Sequence, residues 1–240
     1  WMDLAGTGWY DDPAMWETMK QFAPVERDMI KNPVKYQPPI AVIGDERSMV
    51  FVGVDGTSRK TSEIFSQSRF DLNRLATPFG HYLLNDVLFG KPTKAKLLVF
   101  ATTYALDAKQ QRAMHKKSKK RAAIFVWIPS YIDADKMEFS AEAVKRATGF
   151  DVTQMPAGTK ANVIPTADGE NIGLTKFGFD KAVKPLLSPA AKDGDKILAT
   201  YENGSPAVVL RGRHLFCGVS QIPLPLYRHM IEISGAHMYS

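Results

Sequence analysis

Residues 96–149 hold two uninterrupted apolar runs, each followed by a helix carrying its own start and stop signals, and few folds accommodate that arrangement. Lys96-Leu-Leu-Val-Phe-Ala101 lacks polar alternation, as expected of a strand covered on both faces. Asp107 with Gln110 three residues later reads as a capping box opening a helix to about Lys119. Ala122-Ala-Ile-Phe-Val-Trp-Ile128 is a second buried strand, after which Ser140 caps a further helix and Gly149 ends it. Strand, helix, strand, helix at this spacing predicts parallel strands joined by crossover helices.

The flanking segments extend the pattern. Asp12-Pro13 starts a helix with Met15, Trp16, Met19 and Phe22 on one face, and Pro24 is expected to end or kink it. Lys31–Pro39, with three prolines, reads as an extended connector. Ile40–Ile43 is a short strand. Ser48–Val54 reads as another, residues 62–76 as a helix, and His81–Leu84 as a strand leading into a helical turn to Phe89. Residues 154–194 read as irregular excursions with one or two strands. Ile197–Glu202 and Ala207–Leu210 form a hairpin about Asn203-Gly204, where positive φ is needed. Arg213–Val219 is a strand and Leu226–Ser234 a closing helix.

Composition excludes several classes. With 45% hydrophobic and 23% charged residues in 240, a globular core is expected. No apolar run approaches the roughly 20 residues of a membrane span, so no membrane partner is expected. The formal charge is +6, and much of the excess sits in His115–Arg121. These cations suit the last turn of a helix, where they complement free carbonyls. Nucleic acid is not the expected partner, because the run lacks interleaved aromatics. Cys217 is the sole cysteine, which excludes an internal disulfide.

Chemistry is sparse. No glycine-rich turn joins a strand to a helix in the manner of a phosphate site, so no cofactor is expected. His81, His115, His214, His229 and His237 share no metal-ligand spacing. Cys217 lies inside a strand and reads as a small buried residue. Ser130 follows a buried strand, where a hydrolase or amidotransferase would hold its nucleophile, but Trp127-Ile-Pro-Ser-Tyr-Ile132 has no glycine for the sharp turn. At the N-terminal end, Trp1, Trp9 and Tyr10 stand among Asp3, Asp11 and Asp12. Aromatic faces with acids suit a sugar; capping by Asp12 and packing of the rings account for the same residues.

From Ile40 to the end the chain resembles the glutamine-amidotransferase-like domain that follows the catalytic barrel in β-galactosidase-type glycoside hydrolases, often called the β-galactosidase trimerisation domain. The matching pieces are Ala41–Glu46, His81–Asp86, Lys96–Leu106 with Asp107–Arg112, Phe125–Ile132, Ser140–Gly149 and Arg228–Tyr239. Trp1–Pro13 resembles the final strand, active-site loop and helix start of such a barrel.

The resemblance implies a flavodoxin-like α/β fold of the class I glutamine-amidotransferase type, with a mostly parallel sheet flanked by helices and a β-rich C-terminal extension. It divides the chain into 1–34, the end of a (β/α)₈ barrel plus linker, and 35–240, the accessory domain. Trp1, Asp3, Trp9, Tyr10 and Asp11 would then help line a sugar pocket, since barrel active sites lie on the loops after the strands. The partners implied are a catalytic barrel on the same polypeptide, a carbohydrate substrate of the parent enzyme and further copies in a homo-oligomer. The catalytic acids would lie on earlier barrel strands, so this chain alone is expected to be inactive. The amidotransferase cysteine is replaced around Ile128–Tyr131, and the fold alone does not imply that activity. Two rivals remain: a carbohydrate-binding module using Trp1, Trp9 and Tyr10, and a hydrolase or amidotransferase using Ser130 or Cys217.

Overall fold

A computed structural model describes residues 12–33, 35–51, 70–90 and 93–239. The chain forms two compact units, Trp1–Gln37 and Pro38–Ser240. In the first, α1 spans Pro13–Lys31. Asp12 caps it, its Oδ1 accepting the Ala14 amide at 2.8 Å. Pro24 lies inside the helix and does not end it. A proline removes one amide and strains one turn, but α1 continues to Lys31, where the Asn32 amide and side chain both bond Asp28 and secure the end.

The second unit is built on one sheet. Its elements begin with β1 (Ile40–Gly44), a 3₁₀ turn (Arg47–Phe51), β2 (Phe79–Leu83) and α2 (Leu84–Phe89). Next come β3 (Leu97–Thr102), β4 (Ala105–Leu106), α3 (Ala108–Ser118), β5 (Ala122–Val126), β6 (Ile132–Asp133), β7 (Glu138–Phe139) and α4 (Ala141–Thr148). The last third supplies β8 (Val152–Gln154), β9 (Lys160–Pro165), α5 (Ala167–Glu170), β10 (Phe177–Ala182) and β11 (Leu187–Pro189). Then follow β12 (Lys196–Tyr201), β13 (Pro206–Arg211), β14 (His214–Cys217) and α6 (Leu224–Ser234).

The main sheet runs β10-β9-β12-β13-β14-β5-β3-β1-β2. The five strands from β14 to β2 pair in parallel. Taken in chain order, their spatial sequence is 2-1-3-4-5, the flavodoxin-like order. The other four continue the sheet antiparallel, and form the β-rich extension. Every residue of β1, β3 and β5 is buried, which explains why their sequences lack alternation. Phe100 stacks on Phe125 with centroids 5.5 Å apart, and Phe150 meets both Phe125 and Phe216.

The helix signals hold. Asp107 and Gln110 make the reciprocal capping box of α3. Ser140 caps α4, and Gly149 closes it at φ +83°, a conformation that costs a residue with a Cβ about 1–2 kcal/mol. Two expectations are corrected. Ser48–Phe51 is helical rather than extended, because Asp45 Oδ2 accepts both the amide and the hydroxyl of Ser48 and curls the chain. Residues 154–194 are more regular than expected: β9 and β10 belong to the main sheet, held by register rather than by apolar runs. In the hairpin, Gly204 alone takes positive φ, while Asn203 Oδ1 accepts the Ser205 amide. Of the predicted helix 62–76, residues 62–69 lie outside the described residues; Leu72 and Leu75 are buried.

Candidate functional site

In folds of this order, ligands bind beyond the C-terminal ends of the parallel strands. Here the segments that leave the strands are bonded to one another. The Asp45 amide donates to Thr102 O at 3.0 Å, the Ser130 amide to Thr103 O at 2.6 Å and the Ile132 amide to Tyr104 O at 2.9 Å. The Ser48 hydroxyl oxygen accepts the Ala105 amide at 2.9 Å. A small sheet, β4-β6-β7, covers the region. It is anchored where Arg146 bonds Asp133 at 2.9 Å and Gln111 at 2.8 Å.

At the exit of β5 the backbone makes the turn that a nucleophile would occupy. Trp127, immediately after the strand, stands at φ +63°, and Ser130 at φ +57°. The sharp turn is therefore made without glycine, a correction to the sequence expectation. Its first residue is an indole that is 1% exposed. Trp127 Nε1 donates to Pro185 O at 2.9 Å, and the ring meets Tyr104 edge-on at 5.2 Å. Of the turn's two positive-φ residues, one is an indole with no nucleophilic atom and the other is Ser130.

Ser130 is 0% exposed, and its Oγ makes no hydrogen bond; the buried hydroxyls of Thr102 and Thr103 make none either. A serine is a weak nucleophile until a base takes its proton. Among the described residues none hydrogen-bonds Ser130 Oγ. Cys217 is also fully buried, its Sγ lying 3.5 Å from Val219 O, and burial pushes its thiol up to about 12. Burial thus favours the neutral thiol at physiological pH.

The histidines are dispersed. His214 Nε2 lies 2.9 Å from Ser118 O. Burial, then Lys119 and His214, hold His115 below the ordinary imidazole value, and burial does the same to His229. His237 packs edge-on to Tyr239. Among the described residues no group of three or more His, Cys, Asp or Glu could hold a metal, and no helix is long and apolar enough to cross a membrane. Trp1, Asp3, Trp9, Tyr10 and Asp11 lie outside the described residues.

Two concavities lie away from the strand ends. One, of about 390 Å³, lies between Ala157–Lys160 and Glu202–Asn203. The other, of about 500 Å³, joins Leu88, Phe89 and Ala113 to Lys116, Lys117, Lys120 and Arg121. The sequence reading assigned that basic run to the helix end and missed the groove, because Leu88 and Phe89 reach it from a distant segment.

No protein-family model and no curated protein matches the sequence. Solved structures do match. The GH42 β-galactosidase Gan42B from G. stearothermophilus aligns over 95% of this chain and 34% of its own, with a TM-score of 0.70 at 11% identity. The β-galactosidase of the psychrophilic Marinomonas ef1 aligns over 92% of this chain and 34% of its own, with a TM-score of 0.61 at 13% identity. An exo-β-1,4-mannosidase, Op5Man5 from an Opitutaceae bacterium, aligns over 93% and 39%, with a TM-score of 0.54 at 14% identity. The chain spans about a third of the length of the β-galactosidases it matches. Its fold is that of a domain-sized part of these glycoside hydrolases, as the order of its motifs from Ala41 to Tyr239 implies.

Proposed function

We propose that the chain is a non-catalytic accessory domain of a β-galactosidase-type glycoside hydrolase. The observation that carries this reading is the asymmetry of the match: nearly the whole of this chain aligns with a third of an enzyme. The turn after β5 supports it, since Trp127 carries no nucleophilic atom and Ser130 Oγ is buried with no hydrogen-bond partner. In this reading residues 1–34 are the end of a catalytic barrel with its linker, and 35–240 the accessory domain. Trp1, Asp3, Trp9, Tyr10 and Asp11 would line part of the parent's sugar pocket. The domain's task is assembly, holding neighbouring barrels together in a homo-oligomer.

Two measurements on the 240-residue chain test this. Hydrolysis of nitrophenyl galactosides should be undetectable, because the carboxylate pair that such chemistry uses belongs to the barrel. Light scattering should show an oligomer, and a strict monomer at high concentration would count against the assembly role. Galactoside turnover by this chain that persists in a Ser130→Ala, Cys217→Ala variant would remove the accessory reading altogether.

A further inference from the structure

The groove between α2 and α3 has two chemically different parts. Its floor is apolar, made by Leu88, Phe89 and Ala113, and its rim is cationic, made by Lys116, Lys117, Lys120 and Arg121. Phe89 is 47% exposed, and the Lys109 ammonium stands 4.8 Å from its centroid. Helix-end electrostatics account for Lys116 and Lys117, which lie in the last turn of α3. They do not account for Lys120 and Arg121, which lie beyond the helix end at Ser118. Arg121 donates to the Thr93 carbonyl at 2.9 Å. Among the described residues, no carboxylate forms an ion pair with any of the four rim cations. Elsewhere on the unit Asp133, Asp151, Asp180 and Asp195 each hold a lysine or arginine. Four cations without an ion-paired acid among the described residues thus stand around one apolar floor.

Four like charges about a hydrophobic hollow repel one another until an anion enters, and the same field draws an anionic partner in. The floor narrows the choice of anion. A bare phosphate would leave the apolar surface uncovered. A polynucleotide would stack its bases on open aromatic faces, and Lys109 already covers one face of Phe89. An extended peptide carrying both carboxylates and one apolar side chain satisfies both parts, and the volume of about 500 Å³ suits an anchor of that size. We propose that this groove docks a short acidic segment of a partner protein, its carboxylates on the lysine rim and one large apolar side chain on Leu88, Phe89 and Ala113.

The test is fluorescence anisotropy with the 240-residue chain and a labelled peptide of aspartates and glutamates around a central phenylalanine. The same peptide with a central serine and a labelled single-stranded oligodeoxynucleotide serve as comparators. The phenylalanine peptide should bind at least about tenfold tighter than the serine one, and should weaken steeply with salt. Lys117→Glu with Lys120→Glu should weaken it by a further factor of about ten or more while the melting temperature holds. Ala113→Glu, which puts a carboxylate on the floor, should do the same in a chain whose rim is intact. If the double variant loses its fold, Ala113→Glu and the single Lys120→Gln give the same reading. No binding at about 1 mM peptide overturns the proposal. Equal affinity for the serine peptide or the oligonucleotide also overturns it, by showing a general polyanion surface. So does unchanged affinity in folded rim and floor variants.

Discussion

Trp127 donates its indole N–H to the carbonyl of Pro185, 2.9 Å away, across 58 residues of chain. That bond fixes the ring that fills the β5 elbow, and it predicts a graded response to truncation. Trp127→Ala should cost about 3–5 kcal/mol, the range for deleting a large buried ring. Trp127→Phe keeps most of the volume but strands the Pro185 carbonyl, for about 1–3 kcal/mol. Urea unfolding measures both. Equal losses for the two variants would mean that ring volume contributes little and that the packing of Trp127 is not what the bond secures.

Cys217 should be silent in the native state. Its thiol is fully buried and pushed up to about 12, chiefly by burial. An aromatic disulfide reagent at pH 8 should fail to label the folded chain, and should label it on unfolding in denaturant. Labelling of the native chain at the rate of a free thiol would contradict the burial and reopen a cysteine-based reading.

What could be read in the sequence was what local chemistry dictates. Asp107 with Gln110, Ser140 with Gly149, and the apolar runs of β3 and β5 each carry their own signal, and each is where it was expected. Pairings over long distances carried none. β9 and β10 are ordinary in composition, with exposed lysines and a half-exposed Ile164, and become strands only by register with β12 and with each other. Ser48 curls because Asp45 reaches it, a contact that competes with the strand propensity of Met49, Val50 and Phe51. The elbow was legible as a place, after a buried strand, but not as a conformation. Glycine usually supplies positive φ, and here Trp127 and Ser130 adopt it under the constraint of tight packing. The groove was illegible because Leu88 and Phe89 join Ala113 and the basic run from a separate segment of the chain.

Acid should weaken the fold partly through Asp151. Hydrogen bonds from Lys145 at 2.7 Å and Lys192 at 2.9 Å hold its carboxyl down to about 2, from an ordinary 3.8. A depressed folded value means the stabilisation is present above the unfolded value and is lost as pH falls through the folded one. The loss therefore falls between about pH 4 and pH 2. Asp151→Asn should flatten the stability profile in that window and leave its shape above pH 5 unchanged. A variant profile parallel to wild type below pH 4 would show that the lysine pairs contribute nothing.

Asp107→Ala should destabilise the unit by about 1 kcal/mol, the usual cost of an N-cap. Its Oδ1 accepts the Gln110 amide at 2.8 Å, and its own amide donates to Gln110 Oε1 at 3.1 Å. Asp107→Asn keeps an acceptor in place and should cost much less. Equal losses would assign the effect to charge rather than to the cap, and thermal unfolding at two salt concentrations separates the two.

Arg211 and Asp195 form the pair whose rupture should be most costly. The guanidinium reaches Asp195 at 2.7–3.1 Å, donates to Gly149 O at 2.8 Å and lies 4.3 Å over the Phe150 ring. The Asp195 side chain is 4% exposed. Burial alone would raise its carboxyl pKa; the hydrogen bonds from Arg211 and from the Lys192 amide outweigh burial and leave it below the ordinary value. Arg211→Met leaves that charge buried and unpaired, at a cost of about 3–5 kcal/mol. Adding Asp195→Leu removes the orphan charge, so the double variant should recover at least about 1 kcal/mol relative to Arg211→Met. The two chains should also answer pH in opposite directions. Wild type gains from this pair above the unfolded carboxyl value and loses it on acidification. In Arg211→Met, burial is no longer opposed by the guanidinium, the folded pKa rises, and the penalty shrinks as falling pH protonates Asp195. A penalty in Arg211→Met that is constant from pH 7 to pH 4 would place the loss in packing against Phe150 and not in the ion pair.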